Sequence, residues 1–228
     1  MTAGRAWLVA VLGVLAAAGL LLLGAAGGAL AAREDTPGDT SAEAGFARDM
    51  SVHHGQAVEM AMAVLPRTDD PVLESVARDI ALTQQAQIGR MQGWLAEWGL
   101  SPTGSEPAMA WMAEAGVDHA GHTLLADGRM PGMASAEDVA SLRTLPPGEA
   151  EVRFLQLMTT HHVAGVEMGE AGLELMTEDD PLLLADSIVT SQQGELEVLR
   201  ELLAARGARP TEDTGDAGSH AGHEGHAG

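Results

Sequence analysis

One stretch of the chain occurs twice, and this duplication limits the fold more than any other feature. Phe46-x-x-x-Met50-x-x-His53-His54-x-x-x-Val58-Glu59-Met60 returns as Phe154-x-x-x-Met158-x-x-His161-His162-x-x-x-Val166-Glu167-Met168, at a constant offset of 108 residues. The chain has only two Phe and nine His, so chance does not supply such a match. The second half of each copy follows the same offset: Ile80, Gln84, Gln85, Ile88, Leu95 and Gly99 reappear as Ile188, Gln192, Gln193, Leu196, Leu203 and Gly207. A repeat of this length is one supersecondary unit used twice, and two such units that each bury one face must bury them against each other.

Each copy reads as a helical hairpin. Apolar residues from about Ala44 to Leu65 recur at helical spacing and Pro66 stops them. Asp69-Asp70-Pro71 then offers an N-cap with Pro at the first helical position, and the second helix runs to Gly99 as its C-terminal stop. In the second copy a helix is expected over Glu149 to Met176, with Asp179-Asp180-Pro181 capping another that ends at Gly207. Short turns make neighbouring helices antiparallel. The expected fold is therefore all-α, a four-helix bundle made of two duplicated hairpins (residues 44–100 and 149–207) joined by a long crossover, 101–148. Within the crossover, Ser135-Ala136-Glu137-Asp138 signals a short helix through Leu145.

The flanks are of different character. Arg5 precedes an uncharged apolar run from Ala6 to Ala32. It exceeds the about 7 to 15 residues of a signal-peptide core and reaches the about 20 of a spanning helix. Residues 1–32 thus read as a cleaved signal or a membrane anchor, and both place the remainder outside the cytoplasm, at the cell surface or in a periplasmic or extracellular space. Residues 33–43 form a polar linker, and residues 208–228 a His-bearing tail too polar to fold alone. The 33 acidic residues against 12 basic ones give a formal charge of -21, which disfavours nucleic acid and favours cationic partners.

Cysteine is absent, so imidazole and thioether are the soft metal ligands left to the chain. Met50 lies three and four residues before His53 and His54, and Met60 lies seven after His53, so helical spacing gives them a common face. If the two copies face each other, up to four imidazoles and four thioethers converge. The Met residues serve equally well as core. Adjacent His pairs are harder to assign to a core, since both rings cannot enter one apolar interior and either needs a partner when buried. Gln84, Gln85, Gln192 and Gln193 either orient those rings or lie on the surface, and Glu59 and Glu167 could pair with the rings or accept a hard cation. His119 and His122 in the crossover either take a soft or borderline ion or are solvated, and the same holds for His220, His223 and His226 in the tail. Met109, Trp111 and Met112 suit an apolar patch sealing the bundle. No Glu is followed by His three residues later, which removes the main support for a di-iron oxidase, and no nucleophile elbow, phosphate loop or zinc-protease motif is present.

The duplicated Phe-x-x-x-Met-x-x-His-His-x-x-x-Val-Glu-Met motif, the Ile-x-x-x-Gln-Gln that follows it, and Met130-Pro131-Gly132-Met133-Ala134-Ser135 before the second His pair resemble the family called domain of unknown function 305. The resemblance spans about Ala44 to Gly207. It departs from the usual pattern at Val163-Ala164-Gly165, where the family more often carries Gln, Gly and Ala. It implies a ferritin-like four-helix bundle, exported in bacteria, with some members associated with copper or silver. It further implies Met50, His53, His54, Met60, Met130, Met133, Met158, His161, His162 and Met168 as ligands. The expectation is an exported, non-enzymatic protein that binds Cu(I) or Cu(II), and Ag(I), for sequestration, tolerance or delivery, with a homo-oligomer or a metal-accepting protein as possible partners. The competing readings are a helical interaction module without physiological metal and a ferritin-like redox protein.

Overall fold

The computed structural model describes residues 17–24, 36–114 and 124–211, and divides the chain into two units, residues 1–38 and 39–228. In the first unit residues 17–24 are helical, with Leu20 to Leu23 exposed. Among the described residues no helix is long and apolar enough to cross a membrane, so the anchor expected for residues 1–32 gains no support; most of that run lies outside the described residues.

All regular structure described in the second unit is helical: α1 (Ala42–Val64), α2 (Pro71–Glu97), the short α3 (Ala136–Ser141), α4 (Pro147–Leu175) and α5 (Asp179–Ala205), with 3-10 turns at Leu65–Arg67 and Ala110–Glu114. The helix ends follow from local chemistry. The Ser41 hydroxyl accepts from Ala44 N at 3.2 Å and opens α1. Asp70 Oδ1 accepts from Val72 N at 2.9 Å and opens α2, with Pro71 at a position that needs no N–H partner. Gly99 and Gly207, at φ +71 and +67, close α2 and α5 in the left-handed conformation that lets the next amide turn back to the helix.

Several expected boundaries move, with α1 beginning at Ala42 inside the expected linker and α4 at Pro147. The short α3 ends at Ser141 rather than Leu145, the amides of Arg143, Thr144 and Leu145 beyond it turning back to the Ala140 and Ser141 carbonyls. The second Asp-Asp-Pro does not cap α5: Glu178 holds the N-cap position without a side-chain cap bond, and Asp179 and Asp180 lie inside the first turn. Carboxylates there face the positive end of the helix, and Pro181 replaces an N–H that has no helical partner. Glu178 is the equivalent of Asp70 at the offset of the rest of the repeat, so the two Asp-Asp-Pro strings are out of register by two residues.

α1 packs antiparallel to α2, α4 packs antiparallel to α5, and α1 packs antiparallel to α4 between them. Residue pairing fixes these directions, because each of two apolar cores draws on opposite ends of neighbouring helices. One core joins Ala57, Met60, Ala61 and Val64 of α1 with Leu73, Ala77 and Ile80 of α2, Phe154 and Met158 of α4, and Leu199 and Leu203 of α5. The other joins Phe46 and Met50 with Ile88, Met91 and Leu95, Met168 and Ala171, and Leu184, Ala185 and Ile188. Between them lies the middle of α1 and α4.

The crossover is pinned to this frame. Asp49, buried in α1, accepts from Met109 N at 2.7 Å and from Trp111 Nε1 at 2.9 Å. Its pKa is raised by burial, partly offset by those two bonds. Met109 and Met112 enter the second core, and the Trp111 edge meets the Phe46 ring at 5.9 Å and 89°, as the sealing patch required. Gly45 permits this contact, because a Cβ there would lie 2.4 Å from the Trp111 ring. Gly45→Ala is expected to cost about 1–3 kcal/mol by overpacking. Chemical denaturation monitored by tryptophan emission tests this, and an unchanged transition would overturn it.

Candidate metal centre

The two His pairs sit near the middle of α1 and α4, and antiparallel packing brings them together between the two apolar cores. All four rings are fully buried, at 0% exposure. This corrects the expectation that adjacent His rings cannot both turn inward. Neighbouring residues on a helix point about 100° apart, and α1 has α4 on one side and α2 on another. His53 therefore faces α4, where its ring stacks on His161 with centroids 3.7 Å apart. His54 faces α2, where its Nε2 meets Gln87 Oε1 at 2.8 Å. The second copy repeats the plan: His162 Nε2 meets Glu195 Oε2 of α5 at 2.5 Å. His161 Nε2 donates to the His53 carbonyl oxygen at 2.9 Å.

This layer concentrates unmet polar groups. Apart from Arg67 Nε, every buried side-chain polar atom without a partner among the described residues belongs to these His or to two Gln. They are Nδ1 of all four His, Nε2 of His53, and both amide atoms of Gln84 and Gln192. Native interiors leave few such atoms unpaired, so their gathering in one layer requires an explanation. Burial lowers the pKa of His53 and His161 well below the usual histidine value, and the neighbouring rings push it further. For His54 burial brings it to about 3, with the Gln87 bond opposing. These three imidazoles are neutral at pH 7 and so chemically ready as nitrogen ligands.

The repeated Gln pairs split between two environments. Gln84 and Gln192 are buried, whereas Gln85 and Gln193 are exposed. Gly165 of α4 packs against Gln192, where a Cβ would meet Gln192 Oε1 at 2.3 Å. The ring partners Gln87 and Glu195 were missed in the sequence, although a signal exists: each lies one turn beyond the repeated Gln and at the same offset of 108. Glu59 is exposed and pairs with Arg143 at 3.0 Å, not with a ring.

The thioethers do not all converge. Met50 and Met168 lie in one core and Met60 and Met158 in the other, so they flank the His layer from opposite ends. The Met130-Pro131-Gly132-Met133 turn lies on α4 beside the second His pair: a Cβ on Gly132 would meet Ala164 Cβ at 2.4 Å and Thr160 O at 3.0 Å. Gln56 of α1 clamps the turn by donating to Ala134 O at 3.0 Å and accepting from Ala134 N at 2.7 Å. Met130 is buried and Met133 half-buried. Gly132 has φ +74, so Gly132→Ala adds left-handed strain to the clash and is expected to cost about 1–3 kcal/mol. Faster proteolysis near this turn checks the prediction, and wild-type resistance would refute it. His119, His122, His220, His223 and His226 lie outside the described residues. Among the described residues, no three His, Asp or Glu groups are gathered closely enough to hold an ion in their present rotamers.

Residues 43–203 match the family described as "Domain of unknown function (DUF305)". No curated protein sequence matches the chain. Among solved structures, the chain is similar to a DUF305 protein of Streptomyces coelicolor assigned as secreted, at 44% identity over 77% of this chain and 99% of that one, with a TM-score of 0.69. A DUF305 fragment from Deinococcus radiodurans matches at 33% identity over 72% of this chain and 96% of that one, TM-score 0.57. CopM in its Cu(II)-bound form matches at 25% identity over 71% and 94%, TM-score 0.52. In its Cu(I)-bound form, at 22% identity over 72% and 96% and the same TM-score, CopM shares the fold.

Proposed function

The chain belongs to the DUF305 family, and on that premise we propose that it is an exported copper-binding protein that sequesters or hands on Cu(I) or Cu(II), and also takes Ag(I). One observation carries the reading: five buried imidazole nitrogens without partners sit in a single layer, on rings of which at least three are neutral. Copper accepts neutral imidazole, and thioether where it is reduced. The copper-bound state of the CopM relative and the secreted assignment of the S. coelicolor relative agree with the metal and with export.

We read the four long helices as a ferritin-like bundle and the layer as its metal centre. His53, His54, His161 and His162 are the nitrogen donors. Met50 and Met168 border the layer on one side and Met60 and Met158 on the other, and with Met130 and Met133 at the turn they are the candidate thioethers, which unbranched Met side chains can re-aim. His53 and His161 must unstack to admit an ion. Residues 1–32 act as the export segment, and the His tail as a separate, weaker collector of ions. The rival reading, a docking face built on His and Glu, keeps only its Glu side, because none of the four rings reaches the surface while Glu59 does.

The deciding measurement is competitive titration of the protein with Cu(I) and Cu(II), beside a variant with His53, His54, His161 and His162 changed to Ala and the tail removed. Tight binding lost from the variant is the expected result. Equal binding by both proteins, or none by either, would overturn the proposal.

A further inference from the structure

The copper reading above leaves open which ring atoms meet the ion, and the hydrogen bonds at the rim of the layer decide it. A carbonyl or carboxylate oxygen can only accept, so a ring nitrogen facing one must carry the hydrogen. His161 Nε2 faces the His53 carbonyl oxygen, and His162 Nε2 faces the Glu195 carboxylate. His54 Nε2 faces the Gln87 amide oxygen. In all three rings Nε2 is thereby occupied as a donor, and a neutral ring held this way keeps its lone pair on Nδ1, the atom that is buried and without a partner.

We propose that Gln87 and Glu195 are positioning residues that fix His54 and His162 as Nδ1 donors to the metal, and that Glu195 makes the two halves of the site unequal. The two residues occupy the same place in the repeat, each 33 positions beyond its His. Only their acceptor chemistry differs. A carboxylate acceptor raises the basicity of its ring more than an amide does, and outer acceptors of this kind are worth about 10–100-fold in metal affinity. His162 is therefore the stronger donor. The Glu195 side chain is 25% exposed while the His162 ring is sealed, so the carboxylate orients the ring from the rim without entering the layer.

The test uses the full chain and begins without metal. Long-range 15N–1H correlation spectra of the imidazoles report the tautomer of each ring. His54, His161 and His162 are expected to carry hydrogen on Nε2. Glu195→Leu is expected to release His162 alone from that single tautomer and to weaken Cu(I) binding about 10–100-fold in chelator competition. Gln87→Leu is expected to do the same to His54. Glu195→Gln keeps a neutral acceptor and is expected to preserve the tautomer with a smaller loss of affinity, a distinction that a purely structural role would not produce. Hydrogen on Nδ1 of His162 in the wild type, or a Glu195→Leu protein with unchanged tautomer and affinity, overturns the proposal. The expected tautomers in a protein that takes up no copper would sink the copper reading while supporting the positioning assignment.

Discussion

Between pH 7 and pH 5 the metal-free protein is expected to lose about 2 kcal/mol of folding stability from His54 alone, with further loss from His53 and His161, a large share of the total stability of an ordinary domain. The sign follows from the buried rings. His53, His54 and His161 have folded-state pKa values below the unfolded value of about 6.5. Their contribution is complete above that value. It is lost as the pH falls, because the unfolded chain takes up protons that the folded chain refuses, and for His54 the loss continues down to about pH 3. His54 gives up about 2 kcal/mol over these two pH units, and His53 and His161 act in the same direction.

Carboxylates act lower. Glu43, held down by its bonds to Thr177, and Asp138, held down by Arg153 and Ser135, lose their contributions only as the pH falls through the carboxylate range. Asp49, shifted upward, acts in the opposite direction there. Urea unfolding at pH 7, 6 and 5 in the presence of a chelator measures the effect, and a flat profile would show that the rings are already protonated or hydrated. Copper affinity is accordingly expected to persist below pH 6.5, because burial keeps these nitrogens free of protons in the fold.

The second large effect separates a ligand layer from a structural one. His53→Leu with His161→Leu exchanges the stacked rings for apolar side chains of similar bulk and removes three of the unpaired nitrogens. An unsatisfied buried polar group costs about 1–3 kcal/mol, and replacement by apolar groups of matching shape relieves it. The double variant is expected to be at least about 2 kcal/mol more stable than the metal-free wild type at pH 7. Its loss between pH 7 and 5 should shrink to about 2 kcal/mol, with one of the three titrating rings remaining. Copper affinity should fall by about 100-fold or more, since two donors go together. Stability sacrificed at a site for the sake of binding has this signature. A variant less stable than wild type would instead make the rings a structural element, and one that keeps wild-type copper affinity would place the metal elsewhere.

Much of this architecture was legible in the residues. The offset of 108, the Pro and Gly stops and the Asp70 and Ser135 caps locate the helices to within a few positions, because each depends on chemistry local to the chain. Longer-range features were not. Shared helical spacing suggested that Met50 and Met60 attend one site, yet ten residues of helix span about 15 Å, and antiparallel packing sends them to different cores. That both members of a His pair can be buried depends on α1 having two neighbours, which spacing along α1 does not reveal. The Asp-Asp-Pro repeat misled because it is a coincidence of composition beside the true register. Gln87 and Glu195 escaped because one is an amide and the other an acid; only the partner ring shows that they hold the same post.

The layer is shared by the two copies of the repeat, so neither hairpin alone contains it. Were the halves separate molecules, the site would exist only at concentrations high enough for them to meet, and its occupancy would follow the amount of protein as well as the amount of metal. The covalent crossover between α2 and α4 removes that dependence. The seam between the halves becomes an intramolecular contact with a fixed effective concentration, and the centre is as complete in a single dispersed molecule as in a crowded solution.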